Sequence, residues 1–202
     1  MVRFFSAVAV IAFLTLAPFV ATAFVSLLHT KSYPIITTIA TTARRMVHIE
    51  AKLEELGITL PPAPAAAANY QPVQRSGNLL FLSGHLPLNA DGGLHTGKVG
   101  NGGKTVEEGY QAARQVALNL MATLQKELDG DLDKVDQIVK LFGIVQSQDD
   151  FYEQHKVING CSDLFVQVFG SEKGFHSRSA IGTNALPLNI SVEIEAIVRI
   201  KD

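Results

Sequence analysis

The chain has no tryptophan, a single cysteine and no acidic side chain before Glu50. Each shortage excludes something. One cysteine cannot form an internal disulfide, and Cys161 lies on a helical pattern beside Leu164 and Phe165, where it reads as a small core residue. Histidines 48, 85, 95, 155 and 176 form no H-x-H or H-x-x-x-H pair. No metal-ligand spacing exists, so neither a metal nor another cofactor is expected. A G-x-S-x-G elbow is also missing. Ser83-Gly84-His85 does bring a hydroxyl near an imidazole, but two strand residues on one face need not touch, so a serine nucleophile is poorly supported. Lys98 to Thr105 nearly spells a phosphate-binding loop, with Lys98 standing where its first glycine belongs. A flexible loop accounts better for those glycines.

What is present divides the chain in two. Segment 1–45 carries Arg3, Lys31, Arg44 and Arg45, and its apolar run from Ala7 to Leu28 is followed by Ser, Thr and basic residues. Ala21-Thr22-Ala23 has the small-x-small form of a signal-peptidase site, and Lys31 to Arg45 has the composition of a transit peptide. Segment 1–45 therefore reads as targeting sequence, directed to a mitochondrion or plastid. Secretion and a signal anchor are rivals, because the run is long enough to span a bilayer if uncut. A start at Met46 would give a cytoplasmic form. Without 1–45 the chain keeps 13 of its 17 basic residues against all 19 acidic ones, a net of −6. An acidic domain does not gather phosphates, so nucleic acid is not an expected partner, and no membrane is once the segment is cut.

Residues 46–69 form a lead-in: an amphipathic helix from Val47 to Gly57, then an extended Pro/Ala stretch from Pro61 to Ala68. The domain proper is 70–202. Leu79 to Ser83 reads as a buried strand, and a short strand is expected near Leu94 to Val99. Thr105 and Glu108 form a capping box that opens a helix with Ala113, Ala117, Leu120, Met121 and Leu124 on its apolar stripe, stopped at Gly130. Val135 to Val145 is a strand apolar on both sides, with Val135, Val139, Leu141 and Val145 on one and Ile138, Phe142 and Ile144 on the other. A second helix begins at Asp150 to Glu153 and ends at Gly170. Two helices cover one face of so small a sheet, so the other apolar face is expected to meet further subunits in an α+β homo-oligomer.

The last two strands, Ser177 to Thr183 and Ile190 to Lys201, read as a hairpin joined at Leu186-Pro187. Period two puts Arg178, Ala180 and Gly182 on one face of the first, and Ser191, Glu193, Glu195 and Arg199 on the polar face of the second. A forked cation flanked by small residues, with a carboxylate one strand away, suits a small carboxylic acid. A cross-strand ion pair on a solvated face accounts for the same residues.

Tyr70, Gly77 to Gly84, Asn159, Ser177-Arg178-Ser179 and Leu186-Pro187 through Val192 to Ile197 resemble, in order and spacing, the RidA family, also called YjgF or L-PSP. The resemblance spans roughly residues 70–201, and the lead-in from Ile49 to Asn69 resembles the branch labelled endoribonuclease L-PSP/chorismate mutase-like. It implies a chorismate-mutase-like mixed sheet with two helices on one face, a homotrimer with clefts between subunits, and hydrolysis of 2-imino acids, formed from enamines such as 2-aminoacrylate, to 2-keto acids and ammonia. In that scheme Arg178 binds the substrate carboxylate through two parallel hydrogen bonds and Glu193 orients the attacking water. Tyr70, Ser83, Gly84, Asn159 and Ala180 line the cleft. Ala180 stands where many members carry Cys, His85 where Gln is usual, and Ser162 in place of a helix Tyr. The family's alternatives are a non-catalytic trimer that binds small carboxylates and an endoribonuclease.

Overall fold

The computed structural model describes residues 48–66 and 68–201, all within one contact-defined unit, Arg44–Asp202. The targeting reading of 1–45 and the start at Met46 lie outside the described residues. Among the described residues no helix is long and apolar enough to cross a membrane.

The first helix, α1, runs from Ile49–Glu55, with Ile49 and Leu53 turned into the core. Its start is tied to the 3-10 turn Leu132–Lys134, since the Ile49 amide donates to Asp133 Oδ1 at 3.1 Å and the Leu132 amide donates to Glu50 Oε1 at 2.8 Å. Each carboxylate thus satisfies an orphan donor of the other segment. Helix α2, Val106–Glu127, opens with the anticipated capping box: the Glu108 amide donates to Thr105 Oγ1 at 3.1 Å, and the Thr105 amide to Glu108 Oε2 at 2.8 Å. Those bonds and Lys104 hold the exposed Glu108 carboxyl down at about 2. Ala113, Ala117, Leu120, Met121 and Leu124 are wholly buried, each large one worth roughly 1.5–3 kcal/mol of transfer free energy. Helix α3, Gln154–Gly174, is interrupted at Gly170, whose φ of 75° breaks the helix at its expected end before one more turn follows.

Five strands form one sheet: β1 Val73–Ser76, β2 Leu79–His85, β3 Val135–Gln146, β4 Ser177–Thr183 and β5 Val192–Ile200. Their order is β1-β2-β5-β3-β4, with β3 and β4 parallel and the other pairs antiparallel. Helices α2 and α3 cover the same face, α2 over β2 and β5, α3 over β3 and β4. β1 was not foreseen; it joins β2 through the two-residue turn Gly77-Asn78, with Gly77 at φ 60°.

Here the expected terminal hairpin is corrected. β4 and β5 run in opposite directions, as a hairpin would, but β3 lies between them and pairs with both. The doubly apolar strand lies inside the sheet, second from its edge, where both of its edges are hydrogen-bonded and α3 covers its helix face. Its faces also differ from strict alternation. Register shifts between Val135 and Gln137 and between Ile138 and Lys140 turn Ile138 to the core and leave Val139 half-buried. In the Leu94 to Val99 region there are only isolated bridges, Leu88 with Leu94, Thr96 with Ile190, and Val99 with Lys104 and Ser147.

The face opposite the helices bears Phe81, Phe142, Ile144, Ile181 and Ile197. Phe81 and Ile181 are 40% and 44% exposed, so this face is both apolar and uncovered in one chain.

Candidate active site

The sequence-predicted residues separate into two groups. Arg178, near the start of edge strand β4, points to the helix side with Ala180 and Gly182, because it pairs with the buried Leu141. Its Nη1 donates to Ser162 Oγ at 2.8 Å, and Nη2 donates to the His155 carbonyl at 2.9 Å and to Asn159 Oδ1 at 2.7 Å. All three acceptors belong to the first half of α3, and none is a carboxylate. They engage three of the guanidinium's five N–H groups and leave its charge uncompensated. Ser162 Oγ also meets His176 Nε2 at 3.0 Å, and His176 Nδ1 meets the Gly174 carbonyl at 2.6 Å. His176 was passed over in the sequence because it was weighed only as a metal ligand.

The second group is Tyr70, Ser83, Gly84 and Glu193. Tyr70, Ser83 and Gly84 line a cavity of about 250 Å³, walled also by His85 and by apolar groups that include Leu88, Leu94 and Leu188. Pro64, Ala65 and Ala66 also line it, so the Pro/Ala lead-in contributes to this wall. Leu188 holds a left-handed backbone, φ 55°, and is 64% exposed. Glu193 lies against Gly84: a Cβ built there would stand 1.9 Å from Glu193 Oε1. No alanine fits without moving the carboxylate. Glu193 is half-buried, and burial first, then the like charge of Glu195, raises its pKa above the ordinary carboxylate value. No hydrogen bond from the described residues offsets that rise.

The two groups do not converge in one chain. Arg178 is level with Leu141 and Ala196, whereas Glu193 is level with Ile144. Glu193 alternates with the buried Val192 and Ile194 and so faces away from the helices. The guanidinium and carboxylate are two strands and three rows apart, on the order of 14 Å between backbones, and on opposite faces. The cross-strand ion pair is excluded by the same geometry, as is a carboxylate one strand from Arg178.

His85 is buried. Its Nδ1 donates to the Ser83 carbonyl at 2.7 Å, so the neutral ring accepts at Nε2 from Thr123 Oγ1, also 2.7 Å away. Burial lowers its pKa, against a smaller raising effect of the Ser83 bond. Ser83 Oγ donates to the Gln71 carbonyl instead, at 2.7 Å, so there is no serine–histidine dyad. The glycine-rich loop closes on itself: the Lys104 amide donates to the Lys98 carbonyl at 2.7 Å and the Gly100 amide to the Lys104 carbonyl at 2.9 Å. Those amides are not turned to a phosphate. Cys161 is buried, and burial carries its thiol far above the ordinary value. Among the described residues no three His, Cys, Asp or Glu side chains are grouped to hold a metal ion.

Comparison with known proteins gives a consistent result. The YjgF/chorismate mutase-like family model, whose description also carries an endoribonuclease label, matches residues 50–197. The Trypanosoma cruzi protein TCP17 is 46% identical over 154 residues, 76% of this chain and 95% of that protein. A Dermatophagoides farinae protein named 2-iminobutanoate/2-iminopropanoate deaminase is 31% identical over 144 residues, 71% of this chain and 95% of its own. The crystal structure of an Agrobacterium tumefaciens protein of unknown function superposes with a TM-score of 0.69 at 44% identity, covering 76% of this chain and 94% of that one.

Proposed function

Since the chain belongs to the YjgF/chorismate mutase-like family, also known as RidA, we propose that it hydrolyses 2-imino acids to 2-keto acids and ammonia at sites completed between copies of the chain. The observation that carries this reading is the state of Arg178: a guanidinium fixed by three neutral acceptors and left without an anion. A small carboxylate supplies the missing charge. In one chain Nη2, which belongs to both two-bond edges of the fork, is engaged twice, so the carboxylate gains two parallel bonds by displacing Asn159 or the His155 carbonyl.

Glu193 supplies the second component. A carboxylate whose pKa is raised by burial is a better base near neutral pH than an ordinary glutamate. It takes a proton from water as the water oxygen bonds to the imine carbon. It returns that proton to nitrogen, then relays the new hydroxyl's proton to nitrogen as the carbon–nitrogen bond breaks and the keto group forms, so ammonia leaves and no redox partner is needed. The leucine-lined cavity beside Gly84 accepts the substrate's side chain.

Because Arg178 and Glu193 lie on opposite faces of one sheet, one copy must supply the guanidinium and a neighbour the carboxylate. The uncovered apolar face supports such an assembly, and a homotrimer is the form proposed. The name of the mite relative supports the substrate class. The net charge of −6 in the chain after residue 45 weighs against ribonuclease activity. The acid-free segment 1–45 supports delivery to an organelle, testable by fusing it to a fluorescent protein.

The test is release of ammonia and 2-keto acid while a dehydratase generates the imine in situ. Faster release with the protein than without it, lost in Arg178→Ala, is the expected result. Equal rates with and without the protein overturn the reading. Calorimetric binding of 2-keto acids with no turnover selects a non-catalytic binding module instead.

A further inference from the structure

We propose that Ser162 and His176 are positioning residues that lock the Arg178 guanidinium in its anion-binding pose through a one-way chain of hydrogen bonds. The inference rests on the carboxylate-binding reading of Arg178. Donor and acceptor chemistry fixes every direction in the chain. A guanidinium only donates, so Ser162 Oγ accepts from Arg178 Nη1 at 2.8 Å. The Gly174 carbonyl only accepts, so His176 Nδ1 carries a proton and donates to it at 2.6 Å. A neutral ring protonated at Nδ1 accepts at Nε2, and the Ser162 hydroxyl therefore donates to it at 3.0 Å. Arginine, serine, histidine and backbone carbonyl are each satisfied in a single arrangement.

That arrangement requires a neutral His176. Protonation would place an N–H on Nε2, so that the Ser162 oxygen would be shared between two cationic donors and the hydroxyl's own proton would lose its acceptor. The groups facing the ring agree. From α3 come Ser162, the Gly174 carbonyl and Phe165, whose ring meets it edge-on with centroids 6.5 Å apart. From β4 comes Arg178, a cation. No anion faces the ring from these elements. Burial foremost lowers the pKa of His176; the Gly174 bond raises it by less, and the Arg178 charge lowers it by less again. Asn159 and the His155 carbonyl hold Nη2 independently, so the chain governs one edge of the fork.

The first test needs no variant: nitrogen-15 NMR of the histidine rings at pH 7.5. His176 protonated at Nδ1 is expected; protonation at Nε2 overturns the proposal whatever the ligand. The second is calorimetry with pyruvate from pH 7.5 to 5.5, over which its carboxylate stays ionised. As the pH falls through the lowered folded pKa of His176, the protein is expected to lose about tenfold in affinity, as one hydrogen bond to a charged group fails. Ser162→Ala is expected to bind about tenfold more weakly at pH 7.5, and Ser162→Thr, which keeps the hydroxyl, as the parent does. In His176→Gln an amide oxygen accepts from Ser162 at every pH, so the acid loss disappears. Pyruvate binding in Ser162→Ala equal to the parent's, with Arg178→Ala unable to bind, overturns this proposal and leaves the carboxylate-binding reading standing. Binding unchanged in Arg178→Ala overturns that reading itself.

Discussion

Arg178 and Glu193 are the two charges that the proposed chemistry requires, and the fold treats them in opposite ways. Arg178 sits on an edge strand and is held by three directed hydrogen bonds from a helix. Among the described residues Glu193 has no such bond; its position follows from packing against Gly84 and its basicity from lost solvent and the nearby Glu195. One group is tuned by what it touches, the other by what it is denied. Mutations around the arginine should therefore act through geometry, and those around the glutamate through proton affinity.

The largest expected effect is in Glu193→Gln. Loss of a general base should lower kcat by about 10²–10⁴-fold, measured by ammonia release. The same variant should melt at a higher temperature at pH 7 to 8. A raised carboxyl pKa means that the folded chain prefers the protonated form; this stabilises fully below the unfolded value, near 4.3, and is lost as pH rises through the folded pKa. The neutral amide avoids that loss, so the gain in melting temperature should vanish towards pH 4. A gain that persists at pH 4 would show that burial is not the cause.

Arg178→Lys comes next. It keeps the charge and loses the fork, so KM for the imine should rise about 10- to 100-fold with kcat little changed. An equal fall in kcat would mean that the arginine acts on the reacting carbon as well. Gly84→Ala sharpens the contrast from the other side. Its Cβ displaces the flexible end of Glu193 and not backbone, so activity should fall about tenfold while thermal unfolding changes little. The smallest effect is expected at His85. Its folded pKa is lowered, so its contribution to stability is present above about 6.5 and declines as pH falls through the folded value. His85→Gln should flatten that acid decline in a series of thermal melts.

Much of the architecture was legible because it is local. The capping box at Thr105, the stop at Gly130, the bounds of β4 and the two-sided apolarity of β3 all follow from patterns within a few residues. Strand order did not follow. Period two tells which residues of β4 share a face but not which strand lies beside them, and the short link through Leu186-Pro187 invites a hairpin that β3 in fact interrupts. Strand β1 was missed because three of its four residues are exposed, although Gly77-Asn78 is a recognised two-residue turn signal. At the site, Asn159 was named by family resemblance and does reach Arg178. Ser162 and His176 are 14 residues apart and meet only because the turn after Gly170 returns the chain to β4, a juxtaposition no spacing rule encodes.

The opposition of Arg178 and Glu193 across the sheet has a consequence at the level of inheritance and mixed populations. Two inactive proteins, Arg178→Ala and Glu193→Gln, each retain the half that the other lacks. Unfolded together and allowed to reassemble at random, they should recover up to about a quarter of parental activity, the share of sites that draw both intact halves from different copies. Two defective alleles in one cell would rescue one another by the same count, whereas a site contained in one chain would leave the mixture inert.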